Sequence, residues 1–153
     1  MTRHVAGFVV AVILLGLGAG AGEAGTLSKV DYEQKVQSLY ADVQQAFQGT
    51  RGVSGRELAE RIAAARKALR HAADELSRSD VPEDVRAENR ELTEGMRAYA
   101  RDLERAARAA ARGDDATMAP FRNASTLPGV RQMAEAAERM KEKGYRLGAI
   151  AKD

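Results

Sequence analysis

The sequence predicts an all-α protein, a four-helix up-down bundle that follows an N-terminal signal peptide. Apolar residues recur in alternating steps of three and four along most of the chain after residue 27, which is the period of an amphipathic helix. The breaks between these periodic segments hold glycine, proline and serine and are short, so consecutive helices are expected to pack side by side. Residues 27–153 are long enough to form one domain with its own core.

The first periodic segment predicts a helix from Lys29 to Gln48. Ser28 and Asp31 resemble an N-terminal cap, because a serine hydroxyl can accept a hydrogen bond from a free amide of the first turn. The run Gly-Thr-Arg-Gly at residues 49–52 ends the helix. Its apolar face is formed by Tyr32, Val36, Leu39, Val43 and Ala46 and is widened by Tyr40 and Phe47.

The second helix is expected to begin at Ser54 and to end near Arg78, before the run Ser-Asp-Val-Pro. Ser54 and Glu57 match the Ser-x-x-Glu capping box, in which each side chain bonds a backbone amide near the other. The apolar positions have the cleanest periodicity in the chain: Leu58, Ile62, Ala65, Leu69, Ala72 and Leu76.

The third helix is predicted to be the longest, with Pro82 in its first turn and Gly113 as its C-cap. Its stripe consists of Val85, Asn89, Leu92, Met96, Tyr99, Leu103, Ala106 and Ala110. Residues 114–127 are expected to form a short helix and a loop. Pro128 can open the fourth long helix, and Gly144 is either its end or only a weak point. The stripe of that helix is Val130, Met133, Ala137, Met140 and Leu147.

The first 24 residues have the three zones of a signal peptide of the general secretory type. Arg3 precedes an apolar run at residues 5–17, and small residues then allow cleavage after Ala21 or Ala24. The alternative is an uncleaved membrane anchor, although the apolar run is shorter than the ~20 residues of a bilayer span. We expect a periplasmic, cell-surface or extracellular protein.

Composition excludes several kinds of chemistry. The chain has no cysteine, so disulfides, thiolate metal ligands, a thiol nucleophile and lipidation at a cysteine are impossible. Removal of residues 1–21 would leave 23 basic and 22 acidic residues, which is too balanced to attract nucleic acid. No cofactor is expected: with only one arginine near its start the chain is predicted to cross the membrane unfolded, so that no cofactor is loaded before export.

Few residues are candidates for catalysis. His71 is the only histidine after the signal segment and falls outside the apolar seam of its helix, where a surface role is expected. A group of carboxylates surrounds the start of the third helix, and we interpret it as a solvated face that complements the helix dipole. Its members are Asp80, Glu83, Asp84, Glu88, Glu91 and Glu94. We therefore predict no enzymatic activity, no catalytic residue and no metal site.

A basic ridge on the third helix is the candidate interaction surface. It consists of Arg97, Arg101, Arg105, Arg108 and Arg112, which project roughly opposite the apolar stripe. Such a ridge can contact lipid headgroups, anionic envelope polymers or an acidic partner. The alternative interpretation is a charged outer face with basic residues favoured near a helix C-terminus.

Asn89 and three methionines are the stripe residues for which a role other than apolar packing is considered. Asn89 is polar on an otherwise apolar face, so it either fixes the register of the helices, lies at a wet end of the bundle, or contacts a ligand in a cavity. Met96, Met133 and Met140 are interpreted as core residues that fill irregular gaps, not as ligands of copper or haem.

Three short runs carry a resemblance to a family. They are LSKVDYE at residues 27–33, YADVQQAF at residues 40–47 and KGYRLG at residues 143–148. In these runs the chain resembles small exported bacterial helical proteins of unassigned function, many of them predicted lipoproteins. The resemblance implies a helical, envelope-associated domain and transfers no active-site residue. Gly20 stands where the lipid-modified cysteine of such relatives would be.

The function predicted from these observations is a non-enzymatic binding or structural module of the cell envelope. The alternatives are a carrier of a small apolar ligand and an uncleaved, membrane-anchored helical protein. The sequence leaves the envelope partner and the oligomeric state open.

Overall fold

All regular secondary structure of residues 25–148, the part of the chain described by this computed structural model, is helical. Its α-helices are α1 (Lys29–Gln48), α2 (Gly55–Arg78), α3 (Arg86–Arg112), α4 (Asp115–Met118) and α5 (Pro128–Glu142). Glu83–Val85 is a 3-10 segment, and Ala119–Thr126 is 3-10 helical on both sides of a kink at Asn123, whose φ of -129° and ψ of 75° are not helical. The all-α class and the four long helices are confirmed, whereas the predicted signal peptide, residues 1–24, lies outside the described residues.

Several predicted helix ends are confirmed. The Ser28 hydroxyl accepts a hydrogen bond of 3.1 Å from the Asp31 amide. Gly113 follows α3 with a left-handed φ of 67°, a conformation that glycine adopts without steric cost. Pro128 occupies the first turn of α5, and Gly144, with φ of 83°, lies just beyond that helix. Gly144 therefore follows the end of the helix and is not a weak point within it.

Helix α2 begins at Gly55, directly after its predicted N-cap Ser54, but the predicted capping box of α2 and the predicted start of α3 are wrong. The Ser54 side chain makes no capping hydrogen bond, because Gly55 has a left-handed φ of 57° and the first turn lacks regular helical geometry. Glu57 instead lies 3.7 Å from Arg61, one turn later. Pro82 precedes the 3-10 segment Glu83–Val85, and α-helical geometry begins only at Arg86.

Helix α3 is the central element of the described chain. It contacts α2 along one side and α5 along another, while α1 packs mainly on α2. Ion pairs join Lys35 in the first half of α1 to Glu75 in the last turn of α2 at 3.6 Å, and Arg66 in the middle of α2 to Glu104 in the second half of α3 at 3.2 Å. The core between the helices is slim, since alanines occupy many of its fully buried positions.

The backbones of α3 and α5 approach each other closely at two glycines. A Cβ atom on Gly95 would lie 2.8 Å from the carbonyl oxygen of Gly129, and one on Gly129 would lie 2.7 Å from the Tyr99 amide nitrogen. Both distances are shorter than a non-bonded contact allows, so only glycine fits. This crossing brings Val130 and Met133 of α5 close to the surface of α3.

Buried polar groups connect the helices at the opposite end of this interface. Asn89 is 6% exposed and accepts a hydrogen bond of 2.9 Å from the Tyr32 hydroxyl, while its own amide donates to the Leu76 carbonyl at 3.1 Å. The Tyr32 hydroxyl also lies 3.7 Å from Met140 Sδ. Asn89 is therefore a bridging residue of the core and not part of a wet end.

Among residues 25–148, none of the helices is both long enough and apolar enough to cross a membrane.

Candidate functional site

Some arginines of the predicted basic ridge form ion pairs within the chain, and others do not. Arg101, Arg105, Arg108 and Arg112 are exposed, as expected, whereas Arg97 is half-buried against α2. Arg97 donates to Asp74 at 3.2 Å and to the Ser77 hydroxyl at 2.7 Å. Arg105 and Arg108 pair with Asp102 and Glu104 of the same helix. Three of the five arginines thus have a carboxylate partner within the chain.

Arg97 and Arg101 also belong to a cleft between α2 and α3, which we call the arginine cleft. Its volume is about 260 Å³, and it is lined by Arg66, Arg70, Asp74, Arg97, Ala100, Arg101 and Glu104. The lining therefore contains four arginines and two carboxylates and carries a net charge of +2. The predicted basic ridge contains arginines of α3 alone. The pair Arg66 and Arg70, one turn apart on α2, was the signal that could have revealed this cleft.

An apolar groove of about 820 Å³ lies between α1 and α5, with α3 as its floor. Helix α1 contributes Tyr40, Val43 and Phe47, and α5 contributes Val130 and Met133. The floor includes Leu92, Met96 and Tyr99. A second cavity of about 580 Å³ adjoins it near the 3-10 segment Ala119–Thr126, and six residues line both cavities. Volumes of this size and apolar character are typical of small-molecule sites.

A stacked aromatic pair lies where the two cavities adjoin. The rings of Phe47 and Tyr99 are 5.8 Å apart and inclined by 4°. Burial raises the pKa of the Tyr99 phenol above its ordinary value. This pair therefore presents a neutral, rigid, largely apolar surface on which a ligand can pack.

The groove exists because α1 is attached to the C-terminal segment at one end only. Near the start of α1, Gln37 donates to the Arg146 carbonyl at 2.6 Å, and the Arg146 amide donates to Glu33 at 2.8 Å. The later half of α1 has no hydrogen bond to α5 among the described residues. Val130 and Met133 were predicted as core residues, but they are only half-buried and line the open part.

The carboxylates at the start of α3 serve the structure in different ways. Glu88 was expected on the solvent face, but it is only 7% exposed. Lys143 donates to Glu88 at 2.7 Å, and this bond holds the pKa of the Glu88 carboxyl below its ordinary value. Asp84 accepts a hydrogen bond of 2.8 Å from the Tyr145 hydroxyl. Burial and this bond to Asp84 raise the pKa of Tyr145 to about 12.

Of the remaining candidates, His71 and Met140 lie away from both cavities, whereas Met96 and Met133 line the groove. His71 is exposed on α2, as predicted. Within residues 25–148, no group of three or more histidine, cysteine, aspartate or glutamate side chains is arranged to hold a metal ion. Met96 and Met140 are buried in the core, as predicted, and Met133 is half-buried at the groove.

Comparisons with models of known protein families, with curated proteins and with solved structures give no match.

Proposed function

We propose that the protein is an exported, non-enzymatic binding module of the cell envelope that holds a small apolar ligand in the groove between α1 and α5. The observation that carries the proposal is the groove itself: about 820 Å³, lined largely by aliphatic and aromatic side chains. Val130 and Met133 on its wall are only half-buried, and burial of their remaining apolar surface against a ligand is favourable.

The charges around the groove support binding in preference to catalysis. Its charged lining residues are Arg51 and Arg122, which are both exposed. General acid–base catalysis needs a titratable group within hydrogen-bond reach of the reacting atoms. The other titratable groups of the groove are the phenols of Tyr40 and Tyr99, and burial raises the pKa of Tyr99 further above neutrality. The strongly buried groups Tyr32, Glu88 and Tyr145 lie in the hydrogen-bonded cluster near the start of α1.

The arrangement of the helices supports an up-down bundle that opens at one end. Ion pairs connect the first half of one long helix to the second half of its neighbour, as expected for antiparallel helices. Lys35 of α1 pairs with Glu75 of α2, and Glu91 of α3 pairs with Arg139 of α5. We propose that residues 1–24 direct export and that the bundle acts outside the cytoplasm. The basic ridge remains a second candidate surface, for contact with an anionic envelope component.

Substitution of Val130 by tryptophan tests the groove. The indole would occupy the space between α5 and α1, so we expect a neutral naphthylamine dye to bind the Val130→Trp variant roughly tenfold more weakly, a loss of about 1.4 kcal/mol. Val30→Trp is the matched control, because Val30 lies on α1 outside the groove and is 57% exposed. Dye fluorescence measures the affinity of the wild type and of both variants. Failure of the wild type to bind, or an equal loss in the two variants, would contradict the proposal.

Export is tested separately by fractionation and by determination of the mature N-terminus. Cleavage after Ala21 or Ala24 gives a protein that begins at Gly22 or Gly25. An intact N-terminus confined to the membrane fraction would support the uncleaved anchor instead. A cytoplasmic protein with an intact N-terminus would contradict both.

A further inference from the structure

The arginine cleft brings together two pairs of arginines from neighbouring helices. Arg66 and Arg70 are one turn apart on α2, and Arg97 and Arg101 are one turn apart on α3. Like charges four residues apart on a helix repel each other and destabilise it. Two such pairs on opposite sides of one cleft therefore oppose folding, and the packing of the core does not require them.

Two of the four guanidinium groups are held in place by carboxylates. Arg97 bonds to Asp74 and Ser77, and Arg66 lies 3.2 Å from Glu104. Glu104 also accepts a bond of 2.9 Å from Arg108, so its charge is shared between two arginines. The positions of Arg66 and Arg97 are thereby restricted before any ligand arrives.

The other two arginines have no such partner. Arg70 and Arg101 line the cleft, are exposed, and form no ion pair with another residue in the described part of the chain. Their guanidinium donors remain available to an external anion. The two carboxylates neutralise only half of the four positive charges, so the cleft as a whole favours an anion.

We propose that the arginine cleft binds a phosphoryl group, with Arg70 and Arg101 as its principal donors. Guanidinium groups bind phosphate oxygens through two parallel hydrogen bonds, which a single exposed charge cannot do. A cleft of about 260 Å³ has room for a phosphoryl group with bound water. Its polar lining does not suit the apolar ligand proposed for the groove, so the two sites are independent. The phosphoryl group can belong to a lipid headgroup or to a free phosphate compound.

The test compares the double variant Arg70→Gln/Arg101→Gln with the control Arg90→Gln/Arg131→Gln. The control removes the same charge from two exposed arginines outside the cleft that likewise form no ion pair within the described chain. The first probe is inorganic pyrophosphate, titrated by calorimetry at low ionic strength. We expect the cleft variant to bind it roughly tenfold more weakly or worse, because hydrogen bonds to charged groups are lost, and the control to match the wild type. Circular dichroism checks that both variants fold.

Vesicles separate the two sources of the phosphoryl group. Binding to phosphatidylglycerol vesicles but not to phosphatidylcholine vesicles, with the same loss in the cleft variant, identifies a lipid headgroup. Binding to pyrophosphate without binding to either vesicle identifies a free phosphate compound. The proposal is overturned if the wild type binds neither pyrophosphate nor phosphatidylglycerol vesicles, or if the control loses as much affinity as the cleft variant.

Discussion

Asn89 is the residue that connects the ends of three helices. Its amide donates to the carbonyl of Leu76, which lies in the last turn of α2, where carbonyls have no partner within the helix. Its oxygen accepts from Tyr32 of α1. A polar side chain on the apolar face of α3 thus satisfies two buried groups that water does not reach.

Replacing Asn89 with leucine should destabilise the protein by about 2 kcal/mol or more, because the Leu76 carbonyl would remain buried without a partner and the Tyr32 hydroxyl would keep only the weak acceptor Met140 Sδ. Urea unfolding measures this loss as a lower midpoint with an unchanged slope. In the double variant Tyr32→Phe/Asn89→Leu, the Tyr32 hydroxyl is absent, so the total loss should be smaller than the sum of the single losses. Strictly additive losses would show that the two side chains are not coupled.

Glu88 makes the stability of the fold dependent on pH. Because Lys143 stabilises its ionised form, the pKa of the Glu88 carboxyl is lower in the folded chain than in the unfolded chain. The stabilisation is complete above the unfolded pKa, about 4.3, and is lost as the pH falls through the folded pKa. The second carboxylate oxygen, Oε2, is buried without a hydrogen-bond partner, so the Lys143 contact is the main compensation for burial.

The variant Glu88→Gln should therefore be less stable than the wild type at neutral pH, and the difference should shrink as the pH falls below about 4. Glu94→Gln is the control, because Glu94 is an exposed residue of the same helix. Unfolding in urea at a series of pH values gives both differences. A wild-type advantage over Glu88→Gln that stays constant down to the acid limit would exclude this linkage.

The junction of α3 and α5 depends on the close approach of Gly95 and Gly129. A glycine inside a helix normally costs about 1 kcal/mol relative to alanine. At Gly95 that cost is offset, because the missing side chain lets the Gly129 carbonyl and the Met133 side chain approach. The two glycines thereby determine how closely α5 lies on α3.

Gly95→Ala should destabilise the protein by about 1 to 2 kcal/mol, since the overpacking penalty of about 1 to 3 kcal/mol exceeds the gain in helix propensity. The difference in stability between Glu94→Gly and Glu94→Ala, at the adjacent exposed position, measures the glycine-to-alanine propensity effect without the clash. Thermal and urea unfolding compare these variants with Gly95→Ala and the wild type. A Gly95→Ala protein at least as stable as the wild type would show that the helices can separate at no cost.

Within single helices, features that depend on a few adjacent residues could be predicted from the sequence. Features that depend on a neighbouring helix could not. The Ser28 cap and the αL turn at Gly113 depend on a few adjacent residues, and both are confirmed. The Ser54 cap failed because the conformation of Gly55 overrides the motif. Gly95 is not a position of the predicted apolar stripe, and only the position of α5 shows why it is glycine.

The same distinction applies to the candidate sites. Periodicity placed Val130, Met133 and Tyr99 on apolar faces, but it could not show that α1 leaves part of these faces uncovered. It also placed Arg97 and Arg101 together on α3, whereas the facing pair Arg66 and Arg70 comes from another helix. Cavities and clefts depend on the distance between elements, which a hydrophobic pattern does not specify.

Across the whole molecule, the packing is uneven from one end of α1 to the other. The first half of α1 is joined to α3 and to the segment after α5 through Tyr32, Glu33 and Gln37. The second half contributes one buried residue, Val43, and borders both cavities. Segments with few buried contacts open at a lower free energy than the core does.

We therefore expect backbone amides in the second half of α1 to exchange hydrogen with solvent faster than those of α3, which forms the centre of the core. An apolar ligand that packs between α1 and α5 would restrict this opening, so a saturating naphthylamine dye should slow exchange in α1 selectively. Hydrogen-exchange mass spectrometry measures both effects, and Val130→Trp, which fills the groove, should reduce the dye-dependent part. If α1 and α3 are equally protected without dye, α1 is held along its full length and ligand entry must not involve its movement. If the dye slows exchange in all helices to the same extent, its effect reflects general stabilisation and not closure of the groove.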